Sequence, residues 1–122
     1  PMSAARTISE FEDVTFDVIV DFAGFDTTTA EAVDIIRRDG TVVVVGMGKL
    51  ESTISTKSLI LNQARLVGSN GGTKEDVAGV YEYMATGKLN PTITTSSFDE
   101  IPAGIEKLKS GEVVGRLVAS FE

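Results

Sequence analysis

The chain has 122 residues, a formal net charge of −7 at pH 7 and 42% hydrophobic residues, which is enough apolar side chain to bury one core. The excess of acidic residues argues against nucleic acid as a partner, because phosphate binding needs clustered lysine and arginine. The sequence contains no cysteine and no histidine, which excludes disulfides, cysteine nucleophiles, the Ser-His-Asp triad and the usual zinc ligands. We therefore expect neither a metal site nor a self-contained catalytic site in this chain.

No run of residues approaches the roughly 20 consecutive apolar residues that a membrane helix requires. The first six residues also lack the basic-then-apolar order of a secretory signal. We therefore expect a chain that has no membrane partner and works in the cytoplasm.

The first half of the chain alternates strand and helix. Residues 16–22 are β-branched and aromatic, and they predict a buried strand that turns at Ala23 and Gly24. Apolar residues on one stripe predict an amphipathic helix over residues 27–38. The apolar run 41–45 shows no alternation, as expected of a strand with both faces covered. Strand, helix and strand together predict a right-handed parallel unit.

The second half continues this alternation. The Thr73 helix carries the strongest signal, because Thr73 and Asp76 match a capping box. Tyr81 lies on the apolar stripe of that helix and is predicted to be a core residue. In chain order we predict a short helix at 59–61, a third parallel strand at 64–68, the Thr73 helix ending at Gly87, an extended segment at 92–98, a helix at 101–111 and a strand at 113–121.

Glycine-bearing loops follow the three predicted parallel strands. They contain Ala23 and Gly24, residues 46–48 and residues 68–72. In an open parallel α/β sheet, ligands bind outside the carboxyl ends of the strands. Glycine there lets the backbone approach a flat or phosphorylated cofactor. Glycine content alone is also compatible with ordinary tight turns, so both interpretations stay open.

Two more specific motifs, a dinucleotide fingerprint and a magnesium pocket, are only weakly matched in this region. Gly46 and Gly48 begin a Gly-x-Gly pattern after a buried strand, but Glu51 stands where a dinucleotide fingerprint needs its third glycine. Asp17, Asp21 and Asp26 could form a magnesium pocket at a strand end, but Asp17 and Asp21 lie four residues apart on one strand face and no lysine ends a later strand to pair with a phosphate. We interpret these acids as solvated or helix-capping residues, in preference to a magnesium pocket.

Several segments taken together resemble a known family, although none is specific alone. Their order resembles the C-terminal part of zinc-type alcohol dehydrogenases of the medium-chain dehydrogenase/reductase superfamily. The resemblance covers the chain from about Phe16 to the end. The segments are residues 16–24, 40–46, 67–73, 87–91, 101–111 and 114–118.

The resemblance implies an α/β fold with a partial Rossmann-like parallel sheet. The chain would supply the last three strands of that sheet with flanking helices, followed by a C-terminal strand-helix-strand tail. Residues 1–72 would form the C-terminal half of the nucleotide-binding domain, and residues 73–122 a helix and tail that return to the catalytic domain. The family's Gly-x-Gly-x-x-Gly fingerprint and its cysteine and histidine zinc ligands have no counterpart in the sequence. The resemblance is therefore to a fragment that lacks the zinc site.

The resemblance also implies which residues contact the cofactor. Residues after the fourth, fifth and sixth strands of the family's sheet would lie near the nucleotide, and Arg116 would reach its pyrophosphate. Without the family pattern, Arg116 would be interpreted as an exposed strand arginine. The implied cofactor-binding residues are Ala23, Gly24, Val45, Gly46, Met47, Ser69, Asn70 and Arg116.

The implied full-length protein is an NAD- or NADP-dependent alcohol dehydrogenase that moves hydride between a nicotinamide ring and an alcohol or carbonyl carbon. It would bind zinc outside this chain, contain an N-terminal catalytic domain and form a homo-oligomer. This chain would contribute nicotinamide-side contacts and be inactive alone. Two alternatives stay open: a fragment of a zinc-independent quinone or enoyl reductase of the same superfamily, and a non-enzymatic acidic α/β interaction module.

Overall fold

A computed structural model describes Phe11 and residues 14–121 of the chain. The first six residues, and the expectation that they carry no secretory signal, lie outside the described residues. The chain divides into two compact units between Gly71 and Gly72. None of the helices in the described part of the chain is long and apolar enough to cross a membrane.

The first unit is a parallel sheet with flanking helices. Hydrogen bonds order its strands β1-β2-β3, so β1 and β3 are the edge strands among the described residues. All strand pairs are parallel, which confirms the predicted α/β fold with three parallel strands. In chain order the elements are β1 (Phe16–Asp21), α1 (Asp26–Ile35), β2 (Ile36–Val44), α2 (Thr56–Leu61) and β3 (Arg65–Gly68).

A small apolar core joins α1 to one face of the sheet. Ile19 of β1 and Val42 of β2 are register partners in this core. Val18 and Val20 point to the opposite face and are exposed, because successive strand residues alternate between faces. The prediction of a buried strand therefore holds for only one face of β1. The buried apolar residues are Ile19, Ala32, Val33, Ile36 and Val42.

The first predicted helix ends earlier than its apolar pattern indicates. The prediction extended it over residues 27–38, but α1 ends at Ile35 and Ile36 already belongs to β2. Ile36 has an extended backbone, with φ −59° and ψ 136°, and pairs with Phe16 across the sheet. Its side chain is buried in the same core as the helix residues. A stripe of apolar residues cannot distinguish a last helical turn from the start of a strand that packs on the same core.

The second unit contains a helix followed by a strand-helix-strand segment. The side chain of Thr73 accepts from the Asp76 backbone in the expected capping box, and Gly87 follows the helix with a left-handed φ of 71°. Strands β4 and β5 pair in parallel, so the predicted C-terminal strand-helix-strand tail is confirmed. The elements are α3 (Lys74–Ala85), β4 (Ile93–Ser97), a 3-10 turn (Phe98–Glu100), α4 (Ile101–Lys109) and β5 (Arg116–Ser120).

The apolar stripe of α3 is not buried. Tyr81 is 67% exposed, so the prediction that it is a core residue is wrong. None of the α3 residues is buried. Helical spacing identified one apolar face, but a face becomes core only where another element covers it.

Candidate functional site

The candidate site is built from the loops that follow β1, β2 and β3. Because these strands are parallel and adjacent in the order β1-β2-β3, their carboxyl ends lie at one edge of the sheet. The Val44 residue that ends β2 is the register partner of both Asp21 in β1 and Gly68 in β3. The loops after the three strands therefore start side by side.

Backbone contact between the first two loops depends on glycine. Gly24 has a left-handed φ of 61°, and a Cβ atom added there would overlap the carbonyl group of Gly46. A Cβ atom on Gly48 would stand 2.6 Å from the carbonyl oxygen of Ala23 and 2.8 Å from the ring of Phe25. These distances are too short for any side chain. The two loops thus approach each other as bare backbone.

Backbone hydrogen bonds hold the same loops together. The N–H groups of Val45 and Gly46 donate to the Asp21 carbonyl oxygen at 2.9 and 3.0 Å. Further along, Gly48 donates to Ala23 at 3.1 Å, and the Lys49 N–H donates to the carbonyl of Gly24 at 2.9 Å. The loop after β2 therefore follows the loop after β1 for several residues beyond the end of the sheet.

The third loop is attached at its first residue. The N–H of Ser69 donates to the carbonyl oxygen of Val44 at 2.9 Å. Ser69 and Asn70 are both exposed. The loop after β3 is thus fixed where it leaves the sheet, and its following residues face solvent.

The side chain of Asp21 organises the first loop. Asp21 is only 6% exposed, and its carboxylate accepts four hydrogen bonds. Oδ1 accepts from the N–H groups of Ala23 at 3.1 Å and Gly24 at 2.9 Å, and Oδ2 accepts from the hydroxyls of Thr28 at 2.9 Å and Thr29 at 2.8 Å. Burial raises the pKa of this carboxyl, but the four hydrogen bonds outweigh burial and hold the pKa below its ordinary value. The ionised side chain therefore connects the loop to the first turn of α1.

A second carboxylate connects α1 to the loop after β2. Asp26 accepts from the Thr53 N–H at 2.6 Å and from Lys49 Nζ at 3.0 Å. The Thr53 hydrogen bond, with Lys49 second, holds the pKa of Asp26 below its ordinary value. Residues 49–53 are thereby attached to the start of α1.

The sequence patterns did not reveal the roles of Asp21 and Asp26. We expected solvated or helix-capping acids here, whereas Asp21 is buried and fully hydrogen-bonded. A local signal was present, since an aspartate followed three residues later by glycine is typical of a turn closed by the aspartate side chain. The partners of Asp26 lie more than twenty residues away, so no local pattern indicates them.

Most predicted site residues fall on this edge of the sheet. Gly24 is buried and Gly46 is half-buried, while Ala23 is exposed. Val45 is 37% exposed and Met47 is 81% exposed, so the loop after β2 presents two apolar side chains to solvent.

Arg116 belongs to the second unit. It begins β5 and pairs with Ile93 of β4. The side chain is exposed, and its Nη1 donates to the carbonyl oxygen of Gly115 at 3.2 Å. This exposed position is compatible with both interpretations of Arg116, an ordinary solvent-exposed strand residue or a residue that binds an anion.

The side chains of this chain do not fit a zinc ion. Protein zinc sites use mainly cysteine and histidine, and the sequence has neither. Among the described residues, no group of three or more aspartates or glutamates could hold a metal ion. Asp17 instead pairs with Arg37, and the oxygens of Asp21 are occupied by the hydrogen bonds given above.

Two alcohol dehydrogenases are similar to this chain in sequence. The chain is 32% identical over 92 residues to an alcohol dehydrogenase of Geobacillus stearothermophilus, and the match covers 75% of this chain and 27% of that protein. It is 31% identical over 105 residues to alcohol dehydrogenase 2 of Caenorhabditis elegans, covering 84% of this chain and 30% of that protein. The chain therefore spans less than a third of the length of these curated relatives.

The fold is that of larger dehydrogenase structures. Acetophenone reductase from Geotrichum candidum, solved in complex with NAD, superposes with a TM-score of 0.82 at 24% identity, over 98% of this chain and 33% of that chain. The sequence profile of a family described as zinc-binding dehydrogenase matches residues 2–86. The resemblance to the C-terminal part of zinc-type alcohol dehydrogenases is thus confirmed, and the chain belongs to the zinc-binding dehydrogenase family.

Proposed function

We propose that this chain forms the nicotinamide side of the cofactor site in an NAD- or NADP-dependent alcohol dehydrogenase. The complete enzyme would transfer hydride between the nicotinamide ring and an alcohol or carbonyl carbon. The observation that carries the proposal is the contact between Gly24 and Gly46, which brings two loops together as bare backbone at the carboxyl edge of a parallel sheet. Ligands of open α/β sheets bind at this edge.

The loops offer the groups that a flat, partly polar ring needs. Val45 and Met47 present apolar side chains, which would cover one face of the ring and exclude water. The backbone of the exposed Met47, which follows Gly46, would provide hydrogen bonds to the carboxamide. We assign Ser69 and Asn70 to the same site, because their loop begins beside the other two.

Asp21 has a positioning role in this proposal. Its carboxylate fixes the N–H groups of Ala23 and Gly24 and joins them to α1. The first loop would then hold its shape before the cofactor binds, which lowers the entropic cost of binding. We assign Arg116 to the pyrophosphate, a pairing that suits the planar guanidinium.

The bound cofactor would supply the hydride transfer itself. This chain contributes no catalytic residue in our proposal, and zinc would be bound by parts of the enzyme other than this chain. We assign residues 1–72 to the nucleotide-binding domain and residues 73–122 to a helix and tail that contact the catalytic domain. The isolated chain is therefore expected to have no dehydrogenase activity.

A graft into a relative tests the proposal. The corresponding segment of the Geobacillus stearothermophilus alcohol dehydrogenase, which the chain matches at 32% identity, is replaced by this chain. We expect the folded graft to bind NADH and to oxidise alcohol. A matched graft carrying Gly46→Ala should fold less stably and bind NADH more weakly, because the two loops can no longer approach. A folded graft without any NADH binding would contradict the proposal.

A further inference from the structure

Asn70 and Gly71 form an exposed asparagine-glycine pair in the loop after β3. Both residues are exposed, and Gly71 has a left-handed φ of 58°. A Cβ atom built on Gly71 would have no heavy atom within 4 Å. Among the described residues, the Gly71 N–H donates to no backbone acceptor. The peptide nitrogen between the two residues is therefore accessible to the Asn70 side chain and to water.

We propose that Asn70 is a site of spontaneous deamidation through a succinimide. The backbone nitrogen of Gly71 loses its proton and bonds to the side-chain amide carbon of Asn70, and the side-chain nitrogen leaves as ammonia. Water then adds to one of the two ring carbonyls, and the bond from that carbon to the ring nitrogen breaks. The products are aspartate or isoaspartate, so the net reaction consumes one water and releases one ammonia.

The other two asparagines of the chain lack the features that this reaction needs. Asn90 precedes Pro91, whose nitrogen carries no proton to lose. Asn62 is half-buried, and its Nδ2 donates to the carbonyl oxygen of Ile36 at 3.1 Å. Asn70 alone among the three combines an accessible peptide nitrogen with an unbranched, uncrowded following residue.

An aspartate-glycine pair, which can form the same ring, provides an internal comparison. Asp39 precedes Gly40, and aspartate can form the same ring with loss of water. Here the Asp39 N–H donates to the Asn62 carbonyl oxygen at 2.8 Å, and Gly40 is buried within β2. A Cβ atom on Gly40 would stand 2.5 Å from Ile36, so this peptide is crowded. Modification of the chain should therefore concentrate at Asn70.

Deamidation would change the candidate site. Each product adds one negative charge beside the carboxyl edge of the sheet, and isoaspartate also lengthens the main chain by one methylene. Under the proposed function, on which this consequence rests, the charge would weaken binding of an anionic dinucleotide. The deamidation itself does not depend on that function.

Peptide mapping of the whole chain tests the proposal. Trypsin cleaves after lysine and arginine, so residues 58–65, 66–74 and 89–107 carry the three asparagines on separate peptides. The chain is incubated at neutral pH, digested and analysed by mass spectrometry, and isoaspartate is detected with an isoaspartyl methyltransferase. We expect peptide 66–74 to exchange NH2 for OH at least about tenfold faster than the other two, a difference of about 1.4 kcal/mol in activation free energy.

Two variants and a synthetic peptide complete the test. Asn70→Gln should abolish the modification of peptide 66–74, because glutamine would need a larger ring, while Asn90→Gln should leave it unchanged. A synthetic peptide of residues 66–74 gives the rate of Asn70 deamidation in the absence of the folded structure. Equal rates at all three asparagines would overturn the proposal, as would a native rate more than about tenfold below that of the synthetic peptide. Since the readout is mass, it is independent of cofactor binding.

Discussion

The backbone of Gly46 lies directly against the carbonyl group of Ala23. A Cβ atom on Gly46 would stand 2.6 Å from the Ala23 carbonyl oxygen, which is well inside van der Waals contact. Gly68, which pairs with Val44 at the neighbouring strand end, has no heavy atom within 4 Å of its own Cβ position. The two glycines therefore differ in the space around them and form a matched pair for substitution.

We expect Gly46→Ala to lower the free energy of unfolding by about 1–3 kcal/mol, because the backbone of one loop must shift to admit the methyl group. Gly68→Ala should change it by less than about 1 kcal/mol, in the stabilising direction, because alanine loses less backbone entropy in a strand than glycine does. Urea denaturation of both variants measures the difference. Equal losses of stability would contradict the close approach of the two loops.

Asp21→Asn tests the buried carboxylate through its pH dependence. The pKa of Asp21 in the folded chain is lower than its ordinary value of 3.8. Its ionised form therefore stabilises the fold fully above 3.8, and this stabilisation is lost as the pH falls through the folded pKa. The stability difference between the unsubstituted chain and Asp21→Asn should be constant above pH 3.8 and shrink below it.

Other acids do not obscure this measurement. The pKa values of Asp26, Asp76 and Glu100 are also lowered, but these residues are present in both proteins. Their contributions cancel when the two stabilities are subtracted. A difference that stays constant at acidic pH would show that Asp21 is not held ionised by its four donors.

The sequence was sufficient for the order and type of the elements. The periodic apolar patterns and the Thr73–Asp76 capping box depend only on residues that are close together in the sequence. They could therefore be identified without knowledge of the three-dimensional fold. Ile36 was assigned to the helix although it begins β2, because it is buried in the same apolar core as the residues of α1. Tyr81 was misassigned because helical spacing does not reveal whether another element covers the stripe.

The candidate site was only partly predictable. Glycines at strand ends indicated which loops to consider, since ligand sites at that edge follow from the parallel sheet. The contact of Gly24 with Gly46, and the bridge from Asp26 to Thr53, join segments more than twenty residues apart. Such contacts depend on strand register and sheet order, which single-sequence patterns do not determine.

We predict that the purified chain holds no stoichiometric zinc, although it belongs to a zinc-binding family. Oxygen ligands alone, without cysteine or histidine, make a weak zinc site. Elemental analysis after dialysis against trace zinc measures the metal content. One tightly held zinc ion per chain would contradict this prediction.

We also predict that the isolated chain self-associates. Among the described residues, β1 and β3 form the two edges of the first sheet, and unpaired strand edges are available to another chain. Ile93, Phe98 and Phe121 add exposed apolar surface in the second unit. Leu117 of the same unit is half-buried against Gly104 and adds little to this surface.

Salt dependence identifies the forces in this association. The net charge of −7 opposes association, but salt screens that repulsion beyond roughly 8 Å at physiological ionic strength. Association should therefore persist or strengthen as salt is added. Light scattering across salt and protein concentrations measures it, and a mass that stays at 12.9 kDa throughout would contradict the prediction.

We propose that the loops after β1, β2 and β3 receive the nicotinamide half of the cofactor. The family's fingerprint for the pyrophosphate has no counterpart in this sequence. We therefore expect NADH to bind the isolated chain with a dissociation constant above about 1 mM, which corresponds to a binding free energy of roughly −4 kcal/mol at that limit. Binding this weak is still visible in the amide spectrum of an isotope-labelled chain.

This site is therefore tested by an NMR titration of the chain with reduced nicotinamide mononucleotide, and with AMP as the control for the other half of the cofactor. We predict that the nicotinamide compound shifts the amide signals of Ala23, Gly24, Gly46 and Met47, and that AMP at the same concentration leaves them unchanged. Shifts confined to other parts of the chain, or equal shifts with AMP, would contradict the claim.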